Sequence, residues 1–177
     1  MKKLSVLLIL CILFVSAGCG KEDTVYSSDT LSFTASPGTV ITEEEGCVCA
    51  QKGELSVRIT TADAVKYASE DAAEWDRERL DLKSGAYAGT FGNSWFIYEF
   101  FKYMVPEDAF CAPPSETSAG PEGLCAYTSA FEGDGYCGEI TETVKNGTLI
   151  LLYVRIEGTD PAPCRDDIDR ILNSIDI

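Results

Sequence analysis

Cys47-Val48-Cys49, set behind the acidic run Glu43-Glu44-Glu45-Gly46, is the stretch of this 177-residue chain whose residue types and spacing could do chemistry. Two thiols one residue apart can exchange disulfides or hold a soft metal ion. The neighbouring acids oppose reactivity, because negative charge beside a thiol raises its pKa and lowers its thiolate fraction. A bond from Cys47 to Cys49 would close a strained ring, so the spacing favours separate structural partners. Thiol-redox or metal-handling chemistry at Cys47 and Cys49 is the alternative. Other candidates are thinner. Gly92-Asn93-Ser94-Trp95 is not a G-x-S-x-G nucleophile elbow. Glu132-Gly133-Asp134-Gly135 lacks the ordered ligands and distal Glu of a calcium loop and reads as a turn. With 29 acidic residues, carboxylates come close together by chance, so a glycosidase pair is not singled out. The chain has no histidine, which excludes Ser-His and Cys-His catalysis and imidazole metal sites. The expectation is a protein that is not an enzyme, with no catalytic residue, no metal and no cofactor.

The elements that would position these residues follow from periodicity. Leu31 and Phe33 alternate with Ser32 and Thr34, predicting a strand that stops before Pro37-Gly38, with Val40-Ile41 continuing it. Leu55, Val57 and Ile59 predict a half-buried strand. Thr60 and Asp63 resemble a capping pair, after which Val65, Ala68, Ala72, Trp75 and Arg79 recur at helical spacing. Trp95–Met104 is apolar on both faces, as a covered central strand is. Pro106–Leu124 holds four of the seven prolines and is predicted to be a long loop without regular structure. Ala126–Phe131 and Tyr136–Val144 read as strands joined through Gly133-Asp134-Gly135. Asn146-Gly147 marks a type I′ hairpin into Thr148–Ile156. Pro161 and Pro163 precede a helix with Asp166 and Asp167 early in it, and Cys164, Ile168, Ile171, Leu172 and Ile175 make its buried stripe.

The N-terminus supplies an address. Lys2 and Lys3 precede an apolar run from Leu4 to Val15, interrupted by Ser5 and shorter than the roughly 20 residues of a membrane-spanning helix. Ser16-Ala17-Gly18-Cys19 follows, and this arrangement resembles the lipobox of bacterial lipoproteins. The resemblance implies a signal peptide over residues 1–18, removed on export, and acyl chains of the palmitate kind on Cys19 that hold the protein to a membrane. Two or more chains make such an attachment effectively permanent. Gly20 is not the Asp that retains many lipoproteins at an inner membrane, so the resemblance implies the outer membrane of a diderm cell or the surface of a monoderm. Residues 19–28 then read as a polar tether, and residues 29–177 as a single globular domain. The mature chain keeps 12 basic against 29 acidic residues, a net charge of −17, which repels nucleic acid and suits solubility outside the cell.

Cys11 leaves with the signal and Cys19 carries lipid, so six cysteines remain: Cys47, Cys49, Cys111, Cys125, Cys137 and Cys164. An even number in an exported domain predicts a disulfide framework. Cys111 and Cys125 bracket the Pro-rich stretch, where antiparallel return brings chain ends together, and form the preferred pair. Rejecting Cys47–Cys49 leaves two arrangements, both of which tie the 47–49 segment to Cys137 and Cys164.

Three places resemble the Mog1/PsbP-like domains of small bacterial lipoproteins. They are Leu31-Ser32-Phe33 to Pro37-Gly38, the hairpin Lys145-Asn146-Gly147 into Leu149-Ile150-Leu151-Leu152-Tyr153, and the ending Ile168-Asp169-Arg170-Ile171-Leu172-Asn173-Ser174-Ile175. The resemblance implies an α+β fold, an antiparallel β-sheet flanked by helices, and a role that is accessory rather than catalytic. The functional expectation is a non-enzymatic, lipid-anchored cell-envelope protein that binds or helps assemble an envelope protein or a small ligand.

Overall fold

Residues 22–44, 46–63, 80–81, 86–87 and 105–177 are described by the structure, a computed structural model. Among them the chain forms β1 (Thr24–Ser27), β2 (Ser32–Ala35), β3 (Val40–Glu44), β4 (Cys47–Lys52), β5 (Leu55–Asp63), β6 (Leu80–Asp81), β7 (Ala86–Tyr87), β8 (Phe110–Cys111), β9 (Ser115–Ala119), β10 (Leu124–Gly133), β11 (Tyr136–Lys145), β12 (Thr148–Glu157) and the helix α1 (Arg165–Ser174). The main sheet runs β3-β4-β5-β12-β11-β10, with β8 and β9 both paired to the outer edge of β10. Every pairing is antiparallel.

Local turn chemistry sets this register. Asn146 at φ 52° and Gly147 at φ 79° occupy the two left-handed positions that a type I′ turn requires, and the turn locks Lys145 opposite Thr148. At the β4–β5 turn Gly53 has φ 57° and pairs Lys52 with Leu55. Once these turns are placed, the period of two decides which side chains face inward. Val48 and Ala50, Leu55, Val57 and Ile59, and Leu152, Val154 and Ile156 share one buried face of the sheet.

Helix α1 covers that face. A single 3₁₀ turn, Ala162–Cys164, leads into it with prolines at its start, and Asp166 and Asp167 lie in the first turn, where the helix dipole favours acids. Its buried residues are Ile168, Ile171 and Leu172. Burying each such side chain contributes roughly 1.5–3 kcal/mol. Beside it lies the β1–β2 hairpin, whose Phe33 and Ala35 complete the core, with Tyr26 stacked on Phe33 at 5.2 Å between ring centroids. The last residues close back on this hairpin through Ser32 and Asp176, each backbone N–H donating to the other's carbonyl, at 2.8 and 2.9 Å. The opposite face of the sheet is buried too, at Tyr127, Ser129, Phe131, Ile140, Val144 and Leu149, and the backbone of β7 runs close to β10 and β11.

Three expectations need correction. Residues 19–28 are not tether throughout: Thr24–Ser27 pairs with Ser32–Ala35 as β1, and Arg170 holds Asp23 at 2.7 Å. Thr60–Asp63 does not cap a helix but continues β5, because β12 offers partners as far as Thr148 opposite Asp63. Pro106–Leu124 is not without structure. Ser115–Ala119 pairs with Leu124–Thr128 through the turn at Gly120 and Gly123, and Phe110–Cys111 pairs with Phe131 and Glu132. Prolines 113 and 114 fall between these two short edge strands, where a missing N–H costs no ladder bond. The helix expected over Val65–Arg79 and the strand expected over Trp95–Met104 lie outside the described residues.

Candidate functional site

Register and alternation together assemble the one cluster of metal-competent side chains among the described residues. In the β3–β4 hairpin, Glu44 stands opposite Cys47, Glu43 opposite Val48 and Thr42 opposite Cys49. Directly opposed residues share a face, so Glu44 joins the thiols while Glu43 turns to the other side. There Glu43 accepts a hydrogen bond from the Tyr26 hydroxyl at 2.9 Å. On the next strand Arg58 lies opposite Cys49 and adds a cation to the same face.

The sulfur atoms of Cys47 and Cys49 are 3.9 Å apart. The Cys47 thiol points at Glu44 Oε2, 3.8 Å away, and Arg58 donates from Nη2 to that oxygen at 3.4 Å and to the Cys47 sulfur at 3.6 Å. The ligand atoms of Glu44, Cys47 and Cys49 all lie within 4.8 Å of one another. A depression of about 230 Å³ opens beside them, between Glu44, Cys49, Gln51 and Arg58. Burial pushes the Cys49 thiol up to about 11, the hydrogen bond and charge of Cys47 add to it, Glu44 raises it further, and Arg58 opposes them. Cys49 is therefore a protonated thiol at neutral pH, as expected of a sulfur beside a carboxylate. Two thiols and a carboxylate converging from one hairpin can hold a borderline or soft cation, and two adjacent thiols can also interconvert with a disulfide.

The other expected site residues are spread through the fold. Cys19 and Ser94 lie outside the described residues. The six cysteines Cys47, Cys49, Cys111, Cys125, Cys137 and Cys164 are free thiols here. The preferred Cys111–Cys125 pair is overturned by register. Cys111 is opposite Phe131, whereas Cys125 stands six residues along β10, about 20 Å away, and a disulfide needs Cα atoms within about 7 Å. Cys111 is buried against the Ser129 hydroxyl at 3.2 Å, and Cys125 is exposed. The staple from the 47–49 segment to Cys137 fails similarly, because β5 and β12 separate β4 from β11 by three strand spacings of about 4.8 Å. Cys137 and Cys164 instead approach each other at the far end of the core, both with thiol pKa values raised, first by burial and then by acidic neighbours. Glu132-Gly133-Asp134-Gly135 carries the expected turn: Glu132 and Gly133 end β10, and Asp134-Gly135, with Gly135 at φ 79°, makes the two-residue turn into β11.

Sequence reasoning missed that Glu44 meets the thiols while Glu43 faces away, and missed Arg58 altogether. A signal for Arg58 existed. The Lys52-Gly53-Glu54 stretch carries Gly at the first position of a two-residue turn, which counts Arg58 back opposite Cys49.

The chain is similar to the solution structure of cyanobacterial PsbP (CyanoP) from Synechocystis sp. PCC 6803, with a TM-score of 0.56 over 92% of this chain and 95% of that one. This is the PsbP fold. Sequence identity across the match is 12%, so the likeness is one of architecture. No family model and no curated protein matches the sequence. The PsbP-like architecture is thus shown by antiparallel strands and a closing helix and not by shared residues. Among the described residues no helix is long and apolar enough to cross a membrane.

Proposed function

We propose that this chain is an exported, lipid-anchored protein whose PsbP-fold portion serves as a binding or assembly module at the cell envelope and does no catalysis of its own. The observation that carries the reading is Ser16-Ala17-Gly18-Cys19 placed directly behind a short apolar run and ahead of a PsbP fold. The lack of histidine supports a role without Ser-His or Cys-His catalysis, since no imidazole is present to activate a serine or a thiol. The excess of acids keeps such a module soluble beside a membrane and away from nucleic acid. Metabolic labelling with a radioactive or clickable fatty acid tests the anchor. The parent protein is expected to take up label and sediment with membranes, and Cys19→Ser to lose both properties. A Cys19→Ser protein that stays membrane-bound and is processed elsewhere would remove the lipoprotein reading.

A second reading, thiol or metal handling at Cys47 and Cys49, is favoured by one observation. The two sulfurs share a face of β4 at 3.9 Å with a carboxylate beside them, where separate structural partners had been expected.

A further inference from the structure

We propose that Glu44, Cys47 and Cys49 form an exchangeable site for a thiophilic divalent cation of the zinc class, with two thiolates and one carboxylate as ligands and the fourth position open. The inference rests on the second reading above and selects metal binding over disulfide chemistry.

Distances choose the class of ion. Two thiolates bound at about 2.3 Å to a tetrahedral ion lie about 3.8 Å apart, whereas a linear ion with bonds of that length would hold them about 4.6 Å apart. The observed 3.9 Å matches the tetrahedral edge. The carboxylate oxygen lies 3.8 Å from the Cys47 sulfur, close to the roughly 3.6 Å expected between sulfur and oxygen ligands of one such ion. A mixed sulfur and oxygen donor set suits a borderline dication better than a cuprous ion, which prefers sulfur alone.

Charge supports the same assignment. Binding exchanges two thiol protons, released to solvent, for one dication. Two thiolates, one carboxylate and a dication sum to one negative charge, and Arg58, already within 3.6 Å of the Cys47 sulfur and 3.4 Å of Glu44, balances it. Arg58 now contacts Oε2, the oxygen nearest Cys47, so a metal taking Oε2 leaves Oε1 for Arg58. All three ligands come from one hairpin, so the site is preformed by the pairing of Glu44 with Cys47 and needs no distant segment to close. Its exposure matters for function. The Glu44 side chain is 56% exposed, and three protein ligands leave a position for water or for a ligand from another molecule. Structural zinc sites use four protein ligands, whereas an open three-ligand site leaves one coordination position through which ligands can exchange.

Cobalt(II) substitution in the full chain, reduced and stripped of metal, tests the proposal. One equivalent of cobalt is expected to bind with thiolate-to-metal charge-transfer absorption of two-sulfur intensity, bleached by one equivalent of zinc. Cys49→Ser should lose about half of that absorption, and Cys125→Ser, an exposed thiol elsewhere, should leave it unchanged. Glu44→Gln should keep the two-sulfur absorption while weakening zinc binding about tenfold or more. Full absorption persisting in the Cys47→Ser/Cys49→Ser double variant would overturn the site. Absent cobalt binding with a Cys47–Cys49 disulfide that forms and reduces reversibly would overturn the metal assignment and leave the thiol reading standing. Absent binding with neither thiol forming such a bond would remove both.

Discussion

Cys49 owes its chemical character to three neighbours that alternation places on its own side of the sheet. Burial and the adjacent Cys47 raise its pKa most, Glu44 adds to this, and Arg58 alone works against them, leaving it at about 11. Its alkylation by iodoacetamide should accordingly be slow at pH 7 and rise about tenfold per pH unit until about pH 10, since the thiolate is the reacting form. Replacing Glu44 with Gln removes a negative charge and should move the reactivity curve toward lower pH, while Arg58→Ala should move it higher. Peptide mapping of alkylated Cys49 across pH reads both shifts. A parent curve with its inflection at the ordinary value near 9 would contradict the arrangement of these four side chains. Glu43 and Glu44 show how fine the residue-scale decision is. They are chemically equivalent in the sequence, yet one meets thiols and the other meets Tyr26, because successive strand residues point to opposite faces.

Strands β11 and β12 carry the centre of the sheet, and two glycines in β11 and its turn test different parts of it. At Gly147 a Cβ would enter open space, so Gly147→Ala pays only for the left-handed backbone, about 1 kcal/mol. At Gly138 a Cβ would run into the Val154 carbonyl oxygen and the Phe131 ring, which lies across the strand from Gly138 and stacks on Tyr153 at 5.3 Å. Gly138→Ala should therefore cost about 3 kcal/mol in a denaturant titration, as overpacking of a tight site does. Equal losses at the two positions would mean that the aromatic ring does not sit over Gly138. The turn glycine is recognisable from Asn146-Gly147 alone. The buried one is not, since Gly138 reads as an unremarkable gap in a strand until β10 brings Phe131 to it.

At the scale of the whole molecule, the C-terminal residues tie the closing helix to the β1–β2 hairpin and to the main sheet, and ion pairs mark the seams. Lys52 meets Asp167 at 2.9 Å, Arg165 holds both oxygens of Glu139 at 2.8 and 3.1 Å, and Lys145 meets Asp176 at 2.6 Å. The Lys145 ammonium holds the Asp176 carboxyl below its ordinary 3.8. At Asp167 burial pushes upward, but hydrogen bonds from Ser36 and Lys52 outweigh it and the net direction is also downward. For a carboxylate held lower in the folded state, the linked stability is fully present above about pH 3.8 and is lost as pH falls through the lower folded value. Denaturant midpoints measured between pH 6 and pH 2 should stay level with respect to these two groups down to about pH 4 and then fall. Asp176→Asn should remove part of that acid-linked loss and lower neutral-pH stability by about 0.2–1 kcal/mol, the range of partly exposed pairs. A pH profile for Asp176→Asn that overlays the parent would show that the seam contributes nothing.

Hairpins, alternating strands and the closing helix were determined by the sequence itself, because glycine at left-handed positions, period-two burial and an apolar stripe are local properties of consecutive residues. Leu55, Val57 and Ile59, the Asn146-Gly147 turn and the stripe of Ile168, Ile171 and Leu172 all stand where that logic puts them. What lies across strands was decided only by the tertiary structure. Thr60–Asp63 stayed extended because β12 supplied hydrogen-bond partners, Ser115–Ala119 became a strand because the edge of β10 was free to accept it, and the cysteines were sorted by strand order. Register is a property of two segments at once, so the Gly53 turn can set Arg58 beside Cys49 within one hairpin, but no reading of one segment holds Cys111 away from Cys125. The physical reason is that a strand's partner contributes half of its hydrogen bonds and all of its cross-strand neighbours, and sheet order, not sequence order, chooses that partner.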